Sequence, residues 1–259
     1  MTSIPVIRLE GAIMPSGRRG GLSAAGLDPL LTRAFASRRT KAVAFVINCP
    51  GGSPVQSSLI AKRICQLAKR HQTPVLAFVE DVAASGGYWL ACVADEIYAD
   101  PSSILGSIGV VSASFGFEDA IEKLGIRRRA HTAGKNKLRL DPFQEEKPED
   151  VAWLKDVQSQ IHAEFRAHVT AWRGKKLKAD EETLMNGEVW LGREALELGL
   201  IDGLGTLEQV LQDKFGKHVK LKLLKPKRSF LSRLPFGGAS TQGLLAQVEE
   251  RQLYARYGL

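Results

Sequence analysis

The sequence predicts an α/β fold with a parallel sheet flanked by helices. Short runs rich in β-branched and aromatic residues alternate with helical patterns along the chain, an order typical of parallel strands joined by crossover helices. The 259 residues, of which 44% are hydrophobic, suffice for one large domain with a sizeable core. A wholly disordered chain and a disulfide-stapled mini-protein are therefore excluded.

Hydrophobic spacing predicts each element in turn. Five runs have the composition of strands: residues 4–9, 42–47, 74–79, 96–99 and 108–111. Between the second and third run, residues 53–71 carry apolar side chains at helical spacing, which makes one βαβ unit. Helices are further predicted at residues 151–172, 179–185, 193–198 and 206–215, with glycines between the shorter ones.

The basic character of the chain is concentrated in one segment. The formal net charge is +8, and residues 214–233 hold eight Lys or Arg and no Asp or Glu. In a nucleic-acid interface, Lys and Arg usually cover one face of a domain, next to polar or aromatic side chains that contact the bases. This sequence has no such pattern, so no nucleic-acid partner is predicted. Cations interleaved with Leu, Phe and Pro favour contact with an anionic membrane surface. The alternative is a solvated edge strand followed by a flexible tail.

These observations predict a domain over residues 1–224 and a basic, apolar tail over residues 225–259, with a linker and then a helical stretch at 244–257. The three cysteines, Cys49, Cys65 and Cys92, have neither CxxC nor metal-ligand spacing, so no disulfide framework, metal or cofactor is expected. No apolar run approaches the roughly 20 residues of a membrane span, and no secretory signal is visible. The expected location is the cytoplasm, with peripheral contact to the inner face of the membrane through the basic tail.

Ser85 is the strongest candidate for a nucleophile. It lies where an apolar run changes into small residues, including Gly86 and Gly87, and then into an apolar helix. A serine at the start of a helix is next to free N–H groups and the positive end of the helix dipole, which can hold an oxyanion. The alternative is that these residues are small only because strand and helix pack tightly.

A second glycine turn follows the preceding strand, in the run Asn48-Cys49-Pro50-Gly51-Gly52-Ser53. Two such turns after neighbouring parallel strands meet at the same carboxyl edge of a sheet, where α/β proteins bind ligands. One N–H from Gly52 and one from Gly86 would then make a two-donor oxyanion hole. The phosphate-binding patterns GxxxxGK[ST] and GxGxxG are absent at both turns.

Five runs occur in order along the chain: NCPGG, AASGGYW, ADPSSILGSIGV, AGKNK and GEVWLGREALELGLIDGLG. Together they resemble the signal peptide peptidase A family, serine/lysine proteases of the Clp/crotonase fold superfamily, over about residues 4–215. The resemblance implies a Clp/crotonase-like fold, with a parallel sheet of ββα units flanked by helices. It implies that Ser85 is the nucleophile and that the amides of Gly52 and Gly86 form the oxyanion hole. Asn48 and Tyr88 match motif positions without a clear catalytic role.

The resemblance also implies a lysine general base. By its spacing from the serine the base falls on Lys137, with Lys135 as the nearby competitor, and Ser107 is placed to hydrogen-bond that lysine. Such a lysine must be neutral near pH 7, which lowers its pKa from about 10.4 to about 7–8 and requires roughly 3–5 kcal/mol. Burial away from carboxylates can supply this bias, and residues 127–140 hold six Arg or Lys and no acid. Clp-type proteases have a histidine in the strand that here reads GSIGV, so a Ser/His/Asp triad is disfavoured, and His131 is the reserve base.

Assembly follows from the same resemblance. Double-length family members carry the lysine and the serine on different repeats, whereas this chain has one repeat, so the dyad is expected to form between subunits of a ring-like homo-oligomer. The expected activity is that of an endopeptidase acting through an acyl-enzyme on extended apolar peptides, including remnant signal peptides. Two alternatives stay open: a crotonase-type acyl-CoA enzyme, and a non-catalytic scaffold that binds peptides or membranes.

Overall fold

The computed structural model describes residues 3–15, 21–37, 39–225 and 251–259. The strands are β1 Ser3–Glu10, β2 Val43–Cys49, β3 Val75–Ala84, β4 Glu96–Ala99, β5 Ile104–Gly106, β6 Val189–Leu191, β7 Gly203–Leu204 and β8 Lys220–Leu223. The helices are α1 Ala24–Phe35, α2 Pro54–His71, α3 Gly86–Cys92, α4 Glu118–Lys123, α5 Pro148–Arg173, α6 Glu181–Leu184, α7 Gly192–Glu197 and α8 Leu207–Phe215. Residues 251–255 are also helical.

The strands form one mostly parallel sheet. Its order is β6-β5-β3-β2-β1-β8, and β4 pairs with both β3 and β7. All of these pairs are parallel except β5 with β6. The long strand β3 has two partners opposite β2, because residues 76–79 pair with β4 and residues 82–84 pair with β5. The carboxyl ends of β2, β3 and β5 therefore lie side by side.

The central strands are buried on both faces. Along β2, Val43, Phe45 and Ile47 face one core, whereas Ala44 and Val46 face the other. The first core also contains side chains from α1, α2 and α3, and the second contains side chains from α8. Helices on both faces are the reason why β2 and β3 have continuous hydrophobic sequences instead of alternating ones.

Helix α2, which follows the first glycine turn, carries local signals at both ends. The Oγ of Ser53 accepts a hydrogen bond from the Gln56 N–H at 3.4 Å, and Pro54 occupies the first helical position. The helix ends at His71, after which Gln72 takes a left-handed conformation with φ 50°. Ser53 and Pro54 therefore define the start of α2 after the glycine turn, and Gln72 defines its end.

The chain divides into two compact units. One comprises residues 1–109 and 165–259 and holds the sheet, and the other is Val110–Glu164. The second unit contains α4 and the first part of α5. Within it Arg128 pairs with Asp141, and the Arg139 Nε lies 3.0 Å from an Asp150 oxygen.

The predicted parallel α/β fold is confirmed, and one predicted strand is wrong. Residues 108–111 lie outside the strands, and the strand is β5, four residues earlier. Left-handed backbone at Gly106 (φ 96°) and Ser107 (φ 50°) ends β5, and the apolar Ile108 is buried beyond that turn. In the basic segment, Lys220–Leu223 forms β8, an edge strand paired with β1. Most of the predicted tail, residues 226–250, lies outside the described residues.

Candidate active site

Ser85 lies at the junction between β3 and α3 in a strained backbone conformation. Its φ of 52° and ψ of −121° are rare for a residue with a side chain. The surrounding backbone holds it there, because its N–H donates to the Gly106 carbonyl at 2.8 Å and its carbonyl accepts from the Trp89 N–H at 3.0 Å. The side chain is partly exposed. The strand-to-helix turn therefore presents the Ser85 hydroxyl at the carboxyl edge of the sheet.

The glycine turn after β2 packs directly against Ser85. A Cβ on Gly51 would lie 2.7 Å from the Ser85 Cβ and 2.9 Å from the Gly86 nitrogen, and the Gly51 φ is 105°. Two backbone hydrogen bonds join this turn to Ile13, which lies between β1 and α1. The Ile13 N–H donates to the Gly51 carbonyl at 2.7 Å, and the Ser53 N–H donates to the Ile13 carbonyl at 2.8 Å. Only a residue without a side chain allows this approach.

Two backbone amides near this junction, those of Gly86 and Gly52, have no hydrogen-bond acceptor in the described part of the chain. The Gly86 N–H belongs to the first turn of α3, where helical N–H groups have no intrahelical acceptor. The Gly52 N–H sits in a residue with φ 138°, between the Gly51 carbonyl and the Ser53 amide that are both bonded to Ile13. Neither amide donates to any group of residues 3–15, 21–37, 39–225 or 251–259. Such free donors beside a hydroxyl are what an oxyanion hole requires.

Ser107 reaches the same junction from β5. Ala84 and Gly106 are register partners, so the residues that follow them, Ser85 and Ser107, leave neighbouring strands together. The Ser107 N–H donates to the Glu188 carbonyl at 2.7 Å, and the residue is only 8% exposed. Its Oγ accepts a hydrogen bond from the Tyr257 hydroxyl at 3.2 Å.

The candidate bases lie in the other unit. Lys137 is in a turn in which its N–H donates to the Gly134 carbonyl at 3.2 Å, and its side chain is exposed. Lys135 and His131 are exposed in the same stretch. The sequence stretch 127–140 contains no acid, but its arginines at 128 and 139 pair with the acids that follow it. Its positive field is therefore partly neutralised.

Helix α3, which follows Ser85, is buried and hydrogen-bonded to the rest of the sheet unit. All seven of its residues are buried, and the Tyr88 hydroxyl donates to the Leu200 carbonyl at 2.7 Å. The His168 ring stacks on Trp89 at 4.5 Å between centroids, and its Nε2 lies 3.0 Å from the Trp89 carbonyl oxygen. Burial lowers the pKa of His168 to about 4, so this histidine is neutral near pH 7 and serves packing.

Two tyrosines near the site were missed by the sequence analysis. The Tyr254 hydroxyl donates to the Asn48 carbonyl at 2.8 Å, and Tyr257 contacts Ser107. Asn48 itself donates through Nδ2 to the Asp81 Oδ2 at 2.5 Å, which links the ends of β2 and β3. The spacing of the last residues predicted a helix but carried no signal of where it packs.

Within the described ranges, no group of three or more His, Cys, Asp or Glu could hold a metal ion. In the same ranges no helix has the length and hydropathy to cross a bilayer. The carboxyl edge of the sheet thus brings together the Ser85 hydroxyl, the backbone turns at Gly51 and Gly86, and the Ser107 hydroxyl.

Comparison with known proteins assigns this arrangement to a family. The model of "Peptidase family S49" matches residues 67–222. Protease 4 of Haemophilus influenzae is 32% identical over 80% of this chain and 34% of its own length. A Brucella abortus protein named Na(+)/H(+) antiporter NhaA is 51% identical over the whole chain, which matches 37% of it. The chain thus spans about a third of the length of these curated relatives.

A solved structure has the same fold. It is a lysine-to-alanine mutant of the 1510-N membrane-bound stomatin-specific protease in complex with a substrate peptide, with a TM-score of 0.55 and 17% identity over 95% of this chain and 98% of that one. The chain belongs to peptidase family S49. The predicted family and fold are confirmed by these matches.

Proposed function

We propose that the chain is a serine endopeptidase that cleaves extended apolar peptides, remnant signal peptides among them, through an acyl-enzyme on Ser85. The observation that carries the proposal is the strained Ser85 turn beside the free amides of Gly52 and Gly86. A hydroxyl nucleophile with two preorganised donors suits acyl transfer, in which negative charge develops on the carbonyl oxygen. The relatives named as proteases support it.

The proposed dyad pairs Ser85 with Lys137. The Ser85 Oγ attacks the scissile carbonyl carbon while the neutral Lys137 amine takes the hydroxyl proton, and the oxyanion is held by the Gly52 and Gly86 amides. When the C–N bond breaks, the leaving nitrogen takes the proton from Lys137. Water then attacks the carbonyl carbon of the Ser85 ester while the Lys137 amine takes a proton from the water. The ester C–O bond breaks, the Ser85 Oγ takes the proton back from Lys137, and the acid product leaves, while Ser107 holds the amine by a hydrogen bond.

Assembly from several copies is part of the proposal. Lys137 is exposed in a single chain, so a second copy is needed to bury its amine and make it neutral. The unit that carries Lys137 also exposes large apolar side chains: Val111 (61%), Phe115 (77%), Leu124 (72%) and Ile126 (55%). Several large apolar side chains exposed in one compact unit suit a surface that another protein covers. We propose that this surface is a homo-oligomer contact that completes the site.

The decisive experiment measures hydrolysis of a panel of fluorogenic apolar peptides. Ser85→Ala and Lys137→Ala should each lose activity, whereas Lys135→Ala, two residues from the proposed base, should retain it. Co-expression of the two inactive variants should restore about one quarter of the wild-type activity, because random mixing joins an intact serine and an intact lysine at about one site in four. No recovery would place the dyad within one chain, and full activity of Lys137→Ala would remove it as the base.

Labelling of Ser85 by a fluorophosphonate separates this proposal from acyl-CoA chemistry of the crotonase type, which needs no nucleophilic serine. A scaffold that only binds peptides would keep its function in Ser85→Ala and Lys137→Ala alike.

Attachment to anionic membranes through the basic segment is a separate part of the proposal, supported by the exposed Lys220 and Lys222 on β8. Alanine substitutions across residues 220–228 should abolish flotation with anionic liposomes, and unchanged flotation would refute it.

A further inference from the structure

The residues 251–259, with the sequence RQLYARYGL, pack on the carboxyl edge of the sheet at the candidate active site. We call them the closing segment. Their first five residues are helical, and Leu253, Tyr254 and Tyr257 are the partly buried ones, whereas the other six are exposed. The three partly buried positions lie on one face of a helical turn. The closing segment therefore turns one apolar and aromatic face toward the protein.

The hydroxyls of Tyr254 and Tyr257 bond to the ends of two strands that border the site. Tyr254 donates to the Asn48 carbonyl at 2.8 Å, at the end of β2 and just ahead of the Gly51 turn. Tyr257 donates to the Ser107 Oγ at 3.2 Å, at the end of β5 and beside the residue whose carbonyl receives the Ser85 N–H. Both anchors therefore lie in the rim around Ser85, one on either side of it in the sheet order β5-β3-β2.

The contact at Ser107 bears on the chemistry. With the closing segment in place, Ser107 is 8% exposed, so little of its surface is left for a second group. A serine hydroxyl has one proton and two lone pairs, and the Tyr257 phenol already occupies one accepting direction. An amine that is to be held by Ser107 must approach through the same small opening. The Tyr257 ring and the catalytic amine therefore compete for this hydroxyl.

We infer that the surface formed by Asn48 and Ser107 is a binding site for the closing segment, and that peptide hydrolysis requires the segment to leave. The inference rests on the proposed function for the role of Ser107. The segment is held at its hydroxyls by the bonds to Asn48 and Ser107 and otherwise by three partly buried side chains, with its other six residues exposed, so that an extended peptide or a docked second copy can displace it. Loss of one such bond shifts an equilibrium of this kind by about fivefold.

The test compares the full chain with Tyr257→Phe, with a chain that lacks residues 251–259, and with Gln252→Ala as the control at an exposed position of the same segment. For peptide hydrolysis, kcat/KM should rise about fivefold in Tyr257→Phe and further in the shortened chain, and it should be unchanged in Gln252→Ala. Thermal unfolding of each variant shows that the fold is retained. Unchanged kcat/KM in both Tyr257→Phe and the shortened chain would overturn the inference.

A binding measurement tests, without any catalysis, whether the closing segment has a binding site on the protein. A fluorescein-labelled peptide of residues 251–259 is titrated with the shortened chain that also carries Ser85→Ala. Saturable binding that weakens about fivefold when phenylalanine replaces the tyrosine of position 257 supports the site. Absence of binding overturns it. If no variant cleaves any peptide, the proposed peptidase function fails, and this titration still shows whether the closing segment has a site.

Discussion

Replacing Gly51 by alanine should damage the site by moving Ser85. The new Cβ would lie 2.7 Å from the Ser85 Cβ, and ordinary contacts begin at 3.4 Å, so one of the two turns must retreat by about 0.7 Å. Misplacement of a catalytic group by about 1 Å costs on the order of a hundredfold in rate. We therefore expect kcat/KM for a fluorogenic peptide to fall between roughly tenfold and one hundredfold.

The matched control is Gly216→Ala. Gly216 has a similar φ of 92° but nothing within 4 Å of the added Cβ, so it isolates the backbone cost of about 1–3 kcal/mol that an alanine at positive φ carries. Urea unfolding should show that cost in both variants, whereas only Gly51→Ala should lose activity and react more slowly with a fluorophosphonate. A folded Gly51→Ala protein with full kcat/KM would refute the argument that this turn positions Ser85.

Three further predictions concern the charges, the buried histidine and the second hydroxyl. Asp202 accepts hydrogen bonds from the buried Arg173 at 2.6 Å and from Lys176 at 2.6 Å, so Asp202→Asn should lower the free energy of unfolding by about 3–5 kcal/mol. The control is Glu181→Gln, which removes an exposed ion pair and should cost less than about 1 kcal/mol. Equal losses of the two variants in urea unfolding would contradict this prediction. Burial raises the pKa of Asp202, but the hydrogen bonds from Arg173 and Lys176 outweigh it and hold the pKa below 3.8, so the Asp202 contribution should be present above pH 3.8 and disappear as the pH falls through the lower folded value. Burial lowers the pKa of His168 from 6.5 to about 4, so stability should decline as the pH falls from 6.5 toward 4, and His168→Phe should flatten that part of a pH series of thermal unfolding. Under the proposed mechanism Ser107→Ala removes a hydrogen bond to the neutral form of Lys137, so the acid limb of kcat/KM should move to higher pH. An unmoved limb would argue against the proposed contact.

The part of the site that the sequence could predict is the part made by neighbouring residues. Ser85 and Gly51 follow strands whose hydrophobic runs are unmistakable, and adjacent parallel strands place their ends together. The strand β5 was misplaced because Gly106 and Ser107 adopt positive φ, which an apolar run does not disclose. The sequence does not predict helix α1, because Pro29 lies inside it and an interior proline is typical of a break in a helix.

Long-range contacts could not be predicted in the same way. Tyr257 meets Ser107 across 150 positions of the chain, and no periodicity encodes such a pairing. The acids that pair with Arg128 and Arg139, namely Asp141 and Asp150, follow the basic stretch 127–140 in the sequence. The positive charge around Lys137 is therefore smaller than the composition of that stretch indicates.

The proposed nucleophile and the proposed base lie in different compact units of the chain, so the fold around Ser85 and the rate of hydrolysis can be measured separately. Ser85 and its neighbouring amides are fixed by backbone hydrogen bonds within one unit, so a folded chain contains them whatever else it contacts. Lys137 is exposed in the other unit, and under the proposed mechanism its amine requires burial by a second copy. Changes in the 110–164 unit should therefore alter hydrolysis while leaving the fold around Ser85 intact, because the strained turn is maintained by Gly106 and Trp89, which belong to the sheet unit.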